Sequence, residues 1–125
     1  MQNIIIPFKV PSLNSLYRMS KFNKIYMTPV GKKYKNDVAE YIKNYYPYLI
    51  KYNGAVKLSI KFYLKGNLLQ DLDNLLKVLL DSLNDILYVD DKQVFEITCS
   101  KHINQTMNET HIEAEEILPQ GVSLF

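Results

Sequence analysis

A strict alternation of apolar and polar residues over 56–65 is the feature of this sequence that most constrains the fold. Apolar residues occupy every second position from Val56 to Leu64, and lysines stand at 57, 61 and 65 on the opposite face. A period of two residues predicts a β-strand with one buried and one exposed face. The lysines give the exposed face a positive charge.

Two amphipathic helices are predicted on either side of this strand in the chain. Thr28 and Pro29 provide an N-cap and a first-turn proline, and apolar residues then recur at helical spacing, which predicts a helix over 29–46. Seven leucine and isoleucine residues between 72 and 87 form a single apolar stripe, which predicts a second helix over 71–87.

Shorter apolar runs complete a predicted order of β-α-β-α-β-β. Residues 3–8 predict a first strand that leads into a polar loop at 12–24, and residues 93–101 and 109–118 predict two strands that form a hairpin. We therefore expect one α+β domain over 1–118, with a mixed or antiparallel sheet and two main helices packed on it. Residues 119–125 are expected to be a C-terminal tail.

The charge distribution divides the chain at Lys65. Residues 1–65 contain twelve lysines and arginines against two acidic residues, whereas residues 66–125 contain three basic and eleven acidic residues. A basic half predicts attraction to a polyanion such as nucleic acid, and solvated lysine-rich faces are the alternative. A lone cysteine excludes an internal disulfide, and with no leader-like or membrane-spanning stretch we expect a cytoplasmic protein that binds no membrane.

Acidic residues gather at the start of the second predicted helix. Asp71 and Asp73 flank a leucine there, and Lys77 and Asp81 follow Asp73 at spacings that place all three on one helical face. Helix capping and an ordinary ion pair between Asp73 and Lys77 are the structural alternatives. Two neighbouring carboxylates repel each other unless a cation lies between them, so the pair is also a candidate metal site.

A second acidic pair, Asp90 and Asp91, follows the helix after two residues. A solvated acidic turn is one interpretation, and a ligand role is the other. Carboxylate oxygens are the ligands that Mg²⁺ prefers, so Asp71, Asp73 and Asp91 together would form a magnesium site suited to phosphodiester hydrolysis. Lys77 would add a fixed positive charge beside the reacting phosphate.

Three blocks of the sequence resemble the RusA family of Holliday junction resolvases. The segment D-L-D-N-L-L-K at 71–77 resembles the family's D-x-D-N-x-x-K, D-S-L-N at 81–84 continues this core motif, and Y-V-D-D-K-Q at 88–93 contains its D-D-x-Q. The segment P-S-L-N-S-L-Y-R at 11–18 resembles its N-terminal P-S-x-N-x-x-Y/W-R. In one respect the chain differs, because Gln70 stands where some relatives carry a basic residue.

The resemblance implies a homodimeric nuclease that resolves four-way DNA junctions with Mg²⁺, for which Mn²⁺ is a possible substitute, and without an organic cofactor. It assigns catalysis to four residues, three of them metal ligands, and leaves two neighbours in a supporting role. The catalytic residues are Asp71, Asp73, Lys77 and Asp91, the ligands are the three aspartates, and the supporting residues are Asn74 and Asp90. The DNA-binding candidates are Asn14, Tyr17, Arg18, Lys21, Lys32 and Lys33.

Two other functions are compatible with the same residues. The first is a protein that binds branched DNA and keeps a cation site for structure without cutting. The second is a less selective nuclease that acts on branched or flapped DNA.

Overall fold

The computed structural model describes residues 1–11, 17–19, 21–22, 24–66 and 70–117, with 17–19 described as backbone. In chain order the elements are β1 (Gln2–Ile6), β2 (Tyr17–Met19), β3 (Ile25–Met27), α1 (Pro29–Tyr45), β4 (Ala55–Lys65), α2 (Leu72–Ser82), β5 (Val94–Gln105) and β6 (Glu109–Ile117). A one-turn 3₁₀ helix, Asp91–Gln93, precedes β5. The predicted tail at 119–125 lies outside the described residues.

The alternating strand lies inside a four-stranded mixed sheet with the order β1-β6-β4-β5. β4 pairs with β6 in antiparallel and with β5 in parallel orientation, and β1 pairs with β6 in antiparallel orientation. The apolar residues of β4 are buried and its lysines are exposed, as the alternation predicts. The α+β class, with two helices and a mixed sheet, is confirmed.

The predicted hairpin between the last two strands is wrong, because β4 lies between β5 and β6. The short connection between them passes the end of β4 and satisfies its backbone. The backbone N–H of Lys65 donates to Oδ1 of Asn108 at 2.9 Å, and the carbonyl of Gly66 accepts from the N–H of Asn104 at 2.8 Å. A short loop between two strands therefore did not mean that the strands pair. The predicted loop at 12–24 also contains one short strand, β2, which pairs in antiparallel orientation with β3 directly after the loop.

Helix α1 begins and ends close to its predicted limits. The Thr28 side chain accepts from the N–H of Gly31 at 3.2 Å, and Tyr34, Val38 and Ile42 face the core. This confirms the predicted cap and the buried stripe. No helix within the described residues is long and apolar enough to cross a membrane.

Helix α2 is shorter than predicted, because it ends at Ser82 rather than near 87. The chain then turns through Asp85, which has a φ of 64°, a conformation that aspartate tolerates better than most residues. Leu83 and Leu87 are still buried, so the apolar stripe continues through the turn without a helix. This turn brings the second acidic pair back beside α2.

Candidate active site

The first acidic pair stands at the exposed start of α2. Asp71 is the N-cap residue, yet within the described residues its side chain makes no capping hydrogen bond. The Asp73 carboxylate accepts from the backbone N–H of Asn74 at 3.0 Å. Asp71 therefore stands at the N-cap position without using its carboxylate to cap the helix.

Lys77 lies midway along the polar face of α2. Its Nζ is 3.8 Å from Oδ2 of Asp81, and its side chain is 60% exposed. Asp73 and Asp81 each lie four residues away, which is about 6 Å along the helix axis in either direction. Lys77 pairs with Asp81 and not with Asp73, so the structural alternative of an ion pair between Asp73 and Lys77 is wrong.

Tyr88 lies within electrostatic reach of three carboxylates, those of Asp81, Asp90 and Asp91, and we call these three the acidic centre. Tyr88 is fully buried, and its hydroxyl donates to the carbonyl of Leu80 at 2.8 Å. Burial raises the pKa of Tyr88, and all three carboxylates raise it further, which places each of them within electrostatic reach of this one ring. The turn after α2 thus joins the second acidic pair to the end of the helix.

The carboxylates of the acidic centre are unequal. Burial raises the pKa of Asp91, a hydrogen bond with Asp90 and the charges of Asp90 and Asp81 raise it further, and the nearby Lys77 opposes them. The pKa of Asp90 is lowered, first by the backbone N–H of Lys92 that donates to its Oδ1 at 2.9 Å and then by its bond with Asp91. Asp91 is therefore the carboxylate with the most unfavourable charge.

Gln93 holds the turn that carries Asp90 and Asp91. Its side chain is 1% exposed and makes four hydrogen bonds to the backbone. Oε1 accepts from the N–H groups of Val89 and Asp90 at 2.8 and 3.0 Å, and Nε2 donates to the carbonyls of Tyr52 and Gly54 at 3.0 and 2.9 Å. The motif D-D-x-Q contains this glutamine, but sequence reasoning gave it no role.

Lys101 of β5 is a second residue that sequence reasoning missed. Its Nζ donates to the carbonyl oxygen of Gln70 at 2.9 Å, directly before Asp71. An ammonium group from β5 therefore lies at the position where Gln70 replaces a basic residue. The linear sequence carried no signal for this contact, because it depends on the strand order of the sheet.

The DNA-binding candidates lie in the basic half of the chain. Asn14 is outside the described residues, and Tyr17 and Arg18 belong to β2, where their backbones pair with Met27 and Tyr26. Lys21 is exposed, with its Nζ 5.2 Å from the centre of the Phe22 ring. Lys32 and Lys33 are exposed on the first turns of α1, and Nζ of Lys33 is 2.7 Å from Oδ2 of Asp37.

Only some of the predicted site residues lie close together in the structure. Lys77, Asp81, Asp90 and Asp91 interact, whereas Asp73 starts α2 about 12 Å along the helix from Asp81. Among the described residues, no group of three histidine, cysteine, aspartate or glutamate side chains forms a ready-made metal site. The assignment of Asp71, Asp73 and Asp91 as joint ligands stays a prediction.

Replacing Asp91 with asparagine is expected to raise the unfolding temperature in chelator at neutral pH, by about 2 °C. Because the folded state raises the pKa of Asp91, stability falls as the pH rises from the ordinary carboxyl pKa of about 4 through the raised value. The asparagine amide can donate to Asp90 without adding charge. The gain is small because Asp91 is only partly buried.

Thermal unfolding followed by circular dichroism at neutral pH and at about pH 3 tests this, since a protonated wild-type Asp91 removes the difference at low pH. The exposed Asp85, changed to asparagine, is the control for loss of one negative charge. An Asp91→Asn protein that unfolds at or below the wild-type temperature at neutral pH contradicts the prediction.

The comparison with protein families gives one informative result. The family model described as Endodeoxyribonuclease RusA matches residues 7–115 of this 125-residue chain, a span that includes α2, the acidic centre, Gln93 and Lys101. The comparison with curated proteins finds no match. A match over most of the chain confirms the resemblance carried by the three sequence blocks, and this chain therefore belongs to the RusA family of endodeoxyribonucleases, which resolve Holliday junctions.

Proposed function

We propose that this protein cuts four-way DNA junctions by symmetric, Mg²⁺-dependent hydrolysis of two phosphodiester bonds. The observation that carries the proposal is the match of residues 7–115 to the RusA endodeoxyribonuclease family, and the interacting carboxylates of Asp90 and Asp91 beside Lys77, whose negative charges repel each other, support it. A divalent cation would remove this unfavourable charge. The family membership supplies the substrate class.

The donor set fits magnesium, because every candidate ligand is a carboxylate, the hard oxygen ligand that this ion prefers. Asp71 and Asp73 are exposed at the start of α2, and Asp91 is fixed by the turn that Gln93 holds. When bound, Mg²⁺ or Mn²⁺ lowers the pKa of a coordinated water and stabilises charge on the leaving oxygen. Asn74 and Asp90 would support the ligands by hydrogen bonding.

Two cations of the chain itself are placed to bind phosphate. Lys77 projects from the polar face of α2 between the two acidic groups, where its ammonium can stabilise the charge that develops on the scissile phosphate. Lys101, whose Nζ donates to the carbonyl of Gln70 directly before Asp71, would orient a neighbouring phosphate. The exposed Lys32 on α1 extends this basic surface for the DNA backbone.

Symmetric cutting needs two equivalent active sites. A two-fold homodimer supplies them, and its axis can coincide with the two-fold axis of a four-way junction. We therefore propose a homodimer as the active form.

The decisive experiment maps nicks at nucleotide resolution on a synthetic four-way junction, with Mg²⁺ and with chelator. Paired nicks at symmetric positions that depend on Mg²⁺ support the proposal. Binding without cleavage favours a non-catalytic branched-DNA protein, and equal cutting of junction, flap and linear duplex favours a less selective nuclease.

A further inference from the structure

A cleft between the start of α1 and the end of α2 lies next to the acidic centre. It has a volume of about 220 Å³ and shares Asp81 with that centre. The remaining lining residues are Met27, Gly31, Tyr34, Lys35, Val78, Ser82 and Asn84. The resemblance to the RusA family includes Asp81 and Asn84, in the segment at 81–84, but assigns no function to this cleft.

Two side chains that line the cleft each carry a buried polar atom that lacks a hydrogen-bond partner within the described residues, the hydroxyl of Tyr34 and Oδ1 of Asn84. Tyr34 is 5% exposed, and burial raises its pKa above the usual range while the adjacent Ser82 opposes the shift. Ser82 uses its own hydroxyl to donate to the carbonyl of Leu79 at 2.6 Å, and it does not form a well-directed bond with Tyr34. An unpaired buried polar group is costly, so two in one cleft point to a ligand that pairs with them.

The lining determines the chemistry of that ligand. The partly exposed Met27 offers an apolar contact to a flat ring, whereas the Asp81 carboxylate disfavours a phosphate. The Tyr34 hydroxyl can donate, and the Asn84 oxygen can accept, which matches the mixed edge of a nucleobase. The cleft is smaller than the about 300–1,000 Å³ of sites for drug-sized ligands, as a site for a single base should be.

We infer that this cleft receives one unstacked nucleobase of the junction DNA, read by Tyr34 and Asn84, and so positions the strand for cutting. The inference rests on the proposed function, because it assumes junction DNA as the substrate. Lys35 at the rim and the exposed Lys32 one turn earlier would hold the flanking phosphates. Unstacking costs least where a base has already lost a stacking neighbour, as at the branch point of a junction.

The test uses four-way junctions that carry 2-aminopurine, whose fluorescence rises on unstacking, at successive positions near the branch point. Binding is measured in chelator with the full-length wild-type protein, Tyr34→Phe and Asn84→Ala. The exposed Tyr48, which is 93% exposed, is changed to phenylalanine as the matched control. Thermal unfolding is measured for every variant.

We expect fluorescence to rise at one position with the wild type and with Tyr48→Phe, and to stay low with Tyr34→Phe and Asn84→Ala. Loss of one hydrogen bond should lower the affinity for that junction by about 3–10-fold. Tyr34→Phe should nevertheless unfold at a temperature equal to or above the wild type, because it removes an unpaired buried hydroxyl. If Tyr34 had only a structural role, its replacement would not abolish base unstacking while leaving the unfolding temperature unchanged or higher.

Three results would overturn the inference: no fluorescence rise at any position, an equal rise with Tyr34→Phe and Asn84→Ala, or equal binding of a junction that is abasic at the responding position. The last result would indicate a phosphate in the cleft instead. Cleavage of the same junctions by wild type with Mg²⁺ is recorded separately, so that failure of the proposed function is distinguishable from failure of the base site.

Discussion

Replacing Asp73 with asparagine should reduce junction cleavage by at least about 100-fold while junction affinity stays within about twofold of wild type. Asparagine keeps the size of the side chain and an oxygen that can accept from the Asn74 N–H, so α2 should start as before. It removes a negative oxygen ligand, and the basic surface that binds phosphates remains. Cleavage is measured by single turnover with Mg²⁺, and binding by fluorescence anisotropy in chelator.

Asp85→Asn is the matched control for Asp73→Asn, since it removes an exposed aspartate from the turn that follows the same helix. It should cut junctions at the wild-type rate. Wild-type cleavage by Asp73→Asn would remove this residue from the proposed site. Loss of binding in parallel with cleavage would indicate a role in DNA contact or folding rather than in holding a cation.

Replacing Gln93 with alanine should lower the free energy of unfolding by about 3 kcal/mol, a large fraction of the stability of a small domain. The substitution leaves two partly buried N–H groups and two partly buried carbonyls without the amide that pairs them. Urea unfolding followed by circular dichroism measures the change. Cleavage should fall as well, because Asp91 loses the support of its turn.

Gln105→Ala provides the comparison for Gln93→Ala, because Gln105 is exposed and makes one local hydrogen bond to the carbonyl of Ile103. Its unfolding free energy should change by less than about 0.5 kcal/mol. Equal effects of the two substitutions would show that the buried network of Gln93 does not hold the acidic turn.

Sequence patterns correctly predicted the helices and strands that are determined by residues close together in the chain. The alternation of β4 and the cap and stripe of α1 each fix a conformation through neighbouring residues, and both elements appear close to their predicted limits. The pairing of the last two strands depends on which surface buries more apolar area, and this is a property of the whole sheet. The end of α2 was missed because Leu83 and Leu87 continue the apolar stripe after the helix has stopped.

The site was predictable to a similar extent. Charge and spacing selected Asp91 and Lys77, which do interact, but they gave no reason to group Asp81 with Asp90. That grouping follows from the reversal of the chain at Asp85. The contact of Lys101 with Gln70 could not be predicted either, because it depends on how β5 packs beside the start of α2.

The position of β6 has a consequence for how the protein forms during translation. β6 is made after every other described element, yet it is inserted between β1 and β4, where Gln2 lies opposite Ala114. A nascent chain that lacks it has two strands with unpaired edges, which are templates for aggregation. Contacts between such distant parts of the chain also slow folding, so the sheet that supports the acidic centre can close only after β6 has been synthesised.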